Sequence, residues 1–346
     1  MKILCYNSDF TKRIQIAEVI SFQTIDCYNQ IGKFQLIIGD TAQNINFLEN
    51  DNIIYNYDTK QGYIIKECDY DTANHTITAS GYSILEILNK RIIMEKTSIY
   101  NIESSVYTLV NNNLRGLSNI TTAPVKGLTE TFKTSRSNGQ LADEVCDLCQ
   151  KVELGCRMNF DVKTFNYQLE VYKGRDMSYT GTNPAAIVFD SDSSTLAQLK
   201  ITNDISAFKN VAIVRGAGKG EARTVVVVGT ATGDSRYELD IDARQEQPEE
   251  DETQAEYEER LKELGEEKLA EAIQVLNFEL EIVASEYGKR YKLGDLVTCN
   301  SSKYNLRFNA RITQAQITWD SSGISTKLTL GEPTLTLLEV IKKWQK

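Results

Sequence analysis

The first ninety residues alternate short apolar runs with segments rich in Asn, Asp and Gly. The runs contain β-branched and aromatic residues, which favour strands. They recur about every ten to fifteen residues, too closely for a helix between strands, and this favours an antiparallel barrel or sandwich. The predicted strands lie at Ile14, Ile16, 18–20, 34–38, 53–57, 63–68 and 75–79, and a short helix is predicted at 82–91.

Residues 95–184 have a mixed helical and strand pattern. Leu141, Val145, Leu148 and Val152 are spaced as one face of a helix, and we expect Gly155 to end it in the left-handed conformation. Alternation then predicts a hairpin. The apolar positions of its two arms are Cys156, Met158 and Phe160, then Tyr167, Leu169 and Val171.

Strand patterns return from about residue 185 and are interrupted by a helix. The predicted strands lie at 186–189, 196–201, 211–214, 224–228 and 237–241. Thr253 and Glu256 form a capping-box pattern at the helix start. Its apolar stripe consists of Tyr257, Leu261, Leu264, Leu269, Ile273 and Leu276, and its expected ion pairs are Glu256 with Arg260 and Glu258 with Lys262. A long, exposed, inserted helix is predicted, either partner-facing or solvated.

Alternating strands follow the helix. In the strand that begins near Leu306 the apolar set changes phase by one residue, which predicts a β-bulge near Thr313. A closing strand at 324–330 is stopped by Gly331 and Pro333, and residues 334–346 should form a terminal helix.

The net charge of −10 is concentrated in one segment. Residues 246–267 contain eleven acidic and two basic residues, so the rest of the chain is near neutral. Without a basic surplus, specific nucleic-acid binding is not expected. No stretch approaches the roughly 20 apolar residues of a membrane span, and basic and acidic residues interrupt the N-terminus where a secretion signal would be apolar.

The most tempting chemical motif is Cys146-x-x-Cys149 with Cys156 nearby, among seven cysteines. Zinc would need four placed ligands, and the one histidine, His75, lies far along the chain. A redox pair is expected at a helix N-terminus, whereas this pair falls inside the predicted helix. Because Cys149 continues the apolar stripe, we interpret these thiols as reduced, small, buried hydrophobic groups.

Two other candidates have ordinary explanations. Residues 216–220 are glycine-rich but lack the spacing of a phosphate loop, and a hairpin turn with positive φ accounts for them. His75 lies near a turn and a strand edge, and no second histidine could serve a nucleophile. We therefore expect no catalytic residues, no cofactor-binding residues and no metal ligands.

Several stretches carry a family resemblance in their order along the chain. They are 170–176, 208–212, 216–224, 237–244, 293–297, 310–313 and 328–333 with 336–338. With these, the chain resembles the Gp37-like family of siphovirus tail proteins and, more broadly, phage baseplate hub proteins.

The resemblance implies a mainly β, α+β fold with two related antiparallel β-barrel domains. The first barrel would comprise 1–94, completed by about 185–205, with an inserted α+β domain at 95–184. The second would comprise 206–245 and 277–333, with an acidic helical insertion at 246–276 and a C-terminal helix at 334–346.

The resemblance also implies a function: a non-enzymatic tail-tip hub that forms a homotrimer. Two similar barrels per subunit would present six units to a hexameric tube. Expected partners are tail tube or distal tail proteins, the tape-measure protein and spike or fibre proteins, in a virion tail or phage-tail-like particle made in the bacterial cytoplasm. The alternative is a tail-associated cell-wall hydrolase or peptidase.

Overall fold

The computed structural model describes residues 2–180, 184–190, 196–272, 275–282, 286–302 and 306–331. The predicted terminal helix at 334–346 lies outside these ranges. Seven strands and a 3₁₀ helix open the chain. They are β1 (Ile3–Tyr6), β2 (Arg13–Gln15), β3 (Val19–Cys27), β4 (Lys33–Gly39), β5 (Ile53–Asn56), β6 (Gln61–Asp71), β7 (Thr76–Ser83) and the 3₁₀ helix Ile84–Lys90, with a one-turn helix α1 (Ala42–Ile45) after β4.

Residues 95–180, here called the middle region, combine helices with short sheets. Its elements are β8 (Thr97–Asn101), α2 (Ile102–Asn113), β9 (Ile120–Thr122), β10 (Thr131–Arg136), α3 (Leu141–Lys151), β11 (Gly155–Asp161) and β12 (Asn166–Tyr172). The hairpin is confirmed with the expected pairing, since Cys156, Met158 and Phe160 face Val171, Leu169 and Tyr167.

The remaining elements are mostly strands. They are β13 (Val188–Asp190), β14 (Leu196–Asp204), β15 (Val211–Arg215), β16 (Val225–Val228), β17 (Glu238–Asp242), α4 (Gln254–Glu271), β18 (Val275–Ile282), β19 (Leu296–Ser301), β20 (Leu306–Asp320) and β21 (Gly323–Gly331), with 3₁₀ turns at Gly220–Ala222 and Gly233–Ser235. The fold is mainly β with helices, of the mixed α+β class. Among the described helices, none combines the length and the apolar character needed to cross a bilayer.

Strands from both ends of the chain form one continuous sheet of thirteen strands. Its main order is β14-β18-β21-β20-β3-β4-β7-β6-β5-β1-β2, with β19 pairing β20 and β13 pairing β19. The expected closed barrels are absent from the described strands. The physical reason is that β3 uses one edge for β4 and the other for β20, which links the two strand sets instead of sealing each.

Strand β20 makes this connection. Its first half pairs with β19, and its second half, from Gln314 to Trp319, pairs with Cys27 to Phe22 of β3. The register with β21 shifts between Ile312 and Gln314, so the bulge predicted near Thr313 is confirmed. The bulge falls where β20 changes its neighbour.

The N-terminal strands bury both of their faces. On β5, Ile53 and Tyr55 pack into a core shared with the middle region, whereas Ile54 packs into a second core on the opposite face. A third core is built on β19 to β21, and a fourth lies between β15, β16 and α4. The N-terminal part of the sheet is therefore covered on one side by α2, α3 and the β11–β12 hairpin.

The end of α3 differs from expectation. Its left-handed residue is Glu153 (φ 54°), not Gly155, which already belongs to β11. Gly155 is required for space, because a Cβ there would overlap the ring of Tyr28.

Two details of α4 also correct the prediction. The helix ends at Glu271, and Leu276 lies in strand β18. The capping box of Thr253 and Glu256 is confirmed, and since it occupies the Glu256 carboxylate, Arg260 pairs with Glu246 and Glu252 instead. Lys262 pairs with Glu259 rather than with Glu258.

Candidate functional site

Three stretches that carry the family resemblance meet in space. We call this meeting point the motif junction: Tyr28 with Gly155, Gly174, Arg175, Gly294, Asp295 and Arg311. A Cβ at Gly174 would overlap the carbonyl of Gly294, so the two backbones are in direct contact. Leu296 donates its amide proton to the Arg175 carbonyl at 2.9 Å, which continues the contact as a backbone pairing. The middle region and the C-terminal strands are joined here.

An ion pair between Arg175 and Asp295 fixes the junction. Asp295 is 2% exposed. Its carboxylate accepts hydrogen bonds from the Arg175 amide and Nε, both at 3.1 Å, and from the Arg175 Nη2 at 2.5 Å. It also accepts the Lys292 amide at 2.9 Å. A buried carboxylate is tolerated when it is satisfied in this way, and its role is to hold two chain segments together.

Tyr28 is the centre of the junction. Its side chain is fully buried. The hydroxyl accepts a hydrogen bond from the Gly174 amide at 3.1 Å and donates one to the Tyr172 carbonyl oxygen at 3.2 Å. Its backbone pairs with Cys156 on one side and Thr313 on the other. Tyr28 therefore contacts the N-terminal strands, the middle region and the C-terminal strands at once.

Arg311 covers the other side of the Tyr28 ring. Its guanidinium carbon lies 5.5 Å from the ring centroid, and it donates to the Gly294 carbonyl at 2.7 Å and to Glu153 at 3.4 Å. The side chain is 9% exposed, so this cation–π contact is largely desolvated. Tyr28, Asp295 and Arg311 thus form the buried part of the junction, whereas the Arg175 side chain is half exposed.

Three more family stretches, 208–212, 216–224 and 237–244, lie in or next to a small sheet of β16, β15 and β17. Helix α4 covers one face of it. Tyr257 of α4 donates to the Glu246 carbonyl at 2.6 Å and accepts the Ala217 amide proton at 2.7 Å. The glycine-rich segment is confirmed as a turn between antiparallel strands, with Gly218 at φ 105° and Gly220 at φ 57°.

The acidic helix α4 also binds the middle region, which neither hypothesis about it anticipated. Arg136, 8% exposed, lies 3.1 Å from Glu267 of α4, 2.6 Å from Glu144 and 2.5 Å from Asp147. Lys151, 4% exposed, lies 3.7 Å from Glu267, 3.5 Å from Glu271 and 3.2 Å from Asp147. Part of the acidic charge is thus neutralised inside the chain by two buried cations.

Two further carboxyl groups have shifted pKa values. Burial raises the pKa of Asp26 to about 6, and a hydrogen bond from the Tyr63 hydroxyl at 2.7 Å offsets only part of that effect. Burial alone would raise the pKa of Glu170, but hydrogen bonds from Lys126, Asn159 and Arg157 outweigh it and lower the pKa to about 2. Asp26 raises the pKa of the neighbouring Cys27 thiol further, so it does not activate that thiol, and we assign both carboxyl groups a structural role.

The residues weighed as chemical candidates occupy ordinary positions. Cys146 and Cys149 lie inside α3 and Cys156 lies in β11, and all three are buried. Across the described ranges, no group of three or more His, Cys, Asp or Glu residues is arranged to hold a metal ion. His75 sits in the turn between β6 and β7 (φ 54°), with its exposed ring 3.2 Å from Asp40.

Sequence reasoning missed Tyr28, Arg136 and Gly155 as structural centres. Arg136 carried a usable signal, because an arginine just before an amphipathic helix rich in early acids is placed to pair with them. Tyr28 carried none, because its partners lie more than a hundred residues away along the chain.

Comparison with known families decides the classification. The model of the Siphovirus ReqiPepy6 Gp37-like protein family matches residues 2–332. The chain belongs to this family. The resemblance found in the sequence is thereby confirmed, and the motif junction lies entirely within the matched residues.

Solved structures with a similar fold include three tail proteins, two of them from prophages. A 43 kDa tail protein of prophage MuSo2 from Shewanella oneidensis is similar with a TM-score of 0.61 and 12% identity, over 95% of this chain and 98% of that one. The tail protein from Neisseria meningitidis MC58 is similar with a TM-score of 0.58 and 10% identity, over 96% of each chain. Prophage tail protein gp18 from Listeria monocytogenes EGD-e is similar with a TM-score of 0.56 and 10% identity, over 100% of this chain and 98% of that one. No curated protein sequence matches the chain significantly.

Proposed function

We propose that this chain is a non-enzymatic structural subunit of a phage tail tip, a hub that closes the distal end of the tail tube in a virion or a phage-tail-like particle. The observation that carries the proposal is the family match over residues 2–332, together with a fold shared with prophage tail proteins over nearly their whole length.

In this proposal the two strand sets act as two related β-domains. The first comprises 1–94, completed by 185–205, and the second comprises 206–245 and 277–333. The α+β domain at 95–184 and the acidic helical insertion at 246–276 are accessory parts. Three subunits would then offer six similar surfaces to a hexameric tube.

The motif junction supports this function because it stiffens the subunit. Tyr28, the Arg175–Asp295 pair and Arg311 connect all three parts of the chain through buried contacts. A component that transmits load between a tube and a spike benefits from such cross-links.

The proposed partners are two further copies of the chain, tail tube or distal tail proteins, the tape-measure protein and spike or fibre proteins. Catalytic, cofactor and metal residues have no place in this proposal. Specific nucleic-acid binding is not part of the proposal either, because acidic residues outnumber basic ones, 48 to 38.

Two measurements test the proposal. Light scattering on the purified protein should give about three times 39.0 kDa. Peptidoglycan zymography should show no clearing, whereas a lytic band would favour a cell-wall hydrolase. A monomer at every concentration, even in the presence of the tube protein, would contradict the trimeric hub.

A further inference from the structure

Cysteines from three elements lie together beside the motif junction. Cys146 and Cys149 of α3 and Cys156 of β11 are 7%, 0% and 1% exposed. The sulfur atoms of Cys146 and Cys156 are 3.7 Å apart, and Cys149 is a second hydrogen-bonding neighbour of Cys156. Cys27 of β3 lies at the edge of this group, where it accepts a hydrogen bond from Gln314 at 3.5 Å.

We propose that Cys146 and Cys156 are a disulfide-forming pair that closes when peroxide oxidises the protein. The pair lies ten residues apart along the chain and links two different elements, α3 and β11. The sulfurs already touch, so a side-chain rotation and a small approach would bring them to the bond length of about 2.05 Å. No metal or cofactor is needed.

The oxidation proceeds in two balanced steps. The Cys146 thiolate attacks hydrogen peroxide, the O–O bond breaks, and sulfenic acid forms with release of hydroxide, which takes up the thiol proton as water. The Cys156 thiolate then attacks the sulfur of the sulfenic acid, the S–S bond forms, and a second water leaves. Peroxide accepts the two electrons that the thiols lose.

Cys146 is the thiol that peroxide meets first. It is the most exposed of the three, at 7% against 0% for Cys149 and 1% for Cys156. The hydrogen bond with Cys156 and burial raise the pKa of the Cys146 thiol, so its thiolate is rare at neutral pH. The reaction is therefore slow at pH 7 and accelerates as the pH rises.

The bond would fasten α3 to β11 at the element that contacts Tyr28. The Cys156 amide pairs with the Tyr28 carbonyl, and Gly155 packs on the Tyr28 ring. A particle that leaves a reducing cytoplasm for an oxidising medium would gain this cross-link after assembly. The inference stands independently of the trimeric hub, since it concerns contacts within one chain.

The test is peptide mapping of the full chain after treatment with dilute hydrogen peroxide at pH 8.5 and blocking of free thiols. Trypsin cuts after Arg136, Lys151 and Arg157, which places Cys146 and Cys156 in separate peptides, 137–151 and 152–157. These two peptides should be joined by a bond that reduction breaks. The unfolding midpoint of the oxidised protein should rise by about a few degrees.

Variants identify the partners. Because Cys149 shares a peptide with Cys146, Cys149→Ala should keep the linked peptides and Cys146→Ala should abolish them. Cys299→Ala is the matched control, since this thiol is equally buried but lies in the core of β19 to β21. Circular dichroism should confirm that each variant is folded.

Three outcomes would overturn the proposal. One is linkage that survives in folded Cys146→Ala, which would assign the bond to Cys149. Another is linkage lost in folded Cys149→Ala. The third is oxidised but unlinked cysteine in the native chain.

Discussion

The ring of Tyr28 lies directly against the backbone of Gly294, so closely that a methyl group at position 294 would overlap the ring. Gly155 packs on the same ring in the same way. The two glycines come from different parts of the chain, and their missing side chains create the slot that a buried tyrosine fills. This slot makes the junction sensitive to the smallest substitution.

We expect Gly155→Ala to lower the free energy of unfolding by about 1–3 kcal/mol, because the added Cβ overpacks the Tyr28 slot. Denaturant unfolding measures it. Gly127→Ala is the control, since Gly127 has φ 77° but nothing within 4 Å of a Cβ, so it reports backbone strain alone. Combining Gly155→Ala with Tyr28→Leu should recover part of the loss, and purely additive effects would contradict the slot.

Asp26→Asn should stabilise the protein at neutral pH. The native pKa of about 6 lies above the ordinary value of 3.8, so the native state binds the proton more tightly and its stability falls as pH rises from about 4 to 6. Above pH 6 the ionised group costs at most about 3 kcal/mol, which an amide avoids. Thermal unfolding should show a gain at pH 7 and little change at pH 4. An equal gain in thermal stability at pH 7 and pH 4 would contradict the raised pKa of Asp26.

Arg136→Met should destabilise the chain by about 3–5 kcal/mol, because Glu144, Asp147 and Glu267 would lose a buried partner. The matched control is Lys133→Met. Lys133 also pairs with α4, through Glu263, but is 65% exposed, and solvent-screened pairs of this kind contribute little to stability. Chemical unfolding of both variants measures the difference. Equal effects would mean that burial of the network does not matter.

Asp295→Ala should cost about 2–4 kcal/mol, because the amides of Arg175 and Lys292 would lose their acceptor in a buried place. Asp9→Ala offers a comparison, since Asp9 also accepts a backbone amide, from Thr11, but lies exposed in a loop. Its effect should be much smaller, because water can replace an exposed acceptor. Hydrogen exchange at Leu296 should increase in Asp295→Ala only.

Local periodicity predicted most of the elements. The alternation of the β11 and β12 arms, the capping box at Thr253 and the phase change near Thr313 each depend on residues close in sequence, and all are confirmed. Helix α2 was missed although Ile102, Val106, Leu109 and Val110 follow helical spacing and Asn101 caps its start. Its short apolar spacing stands between strand patterns in a region of mixed character, which weakens the helical signal.

The contacts of the motif junction could not be predicted in this way. Gly174 and Gly294 belong to recognisable stretches, but nothing local indicates that they touch. The same holds for Glu267 and Arg136, where a strongly acidic helix suggests solvation until its buried basic partners are known. Long-range packing decides these pairs, and it also decides that Gly155 is needed for space rather than for its φ.

The shared strand β20 has a consequence for synthesis on the ribosome. Strand β3 is made among the first thirty residues, yet its neighbour on one side, from Gln314 to Trp319, emerges almost three hundred residues later. Until then the nascent chain presents an open strand edge, which exposes it to mispairing with other nascent chains. Truncated products that end before residue 306 should therefore aggregate. A chaperone that binds nascent chains should stay bound longest at β3.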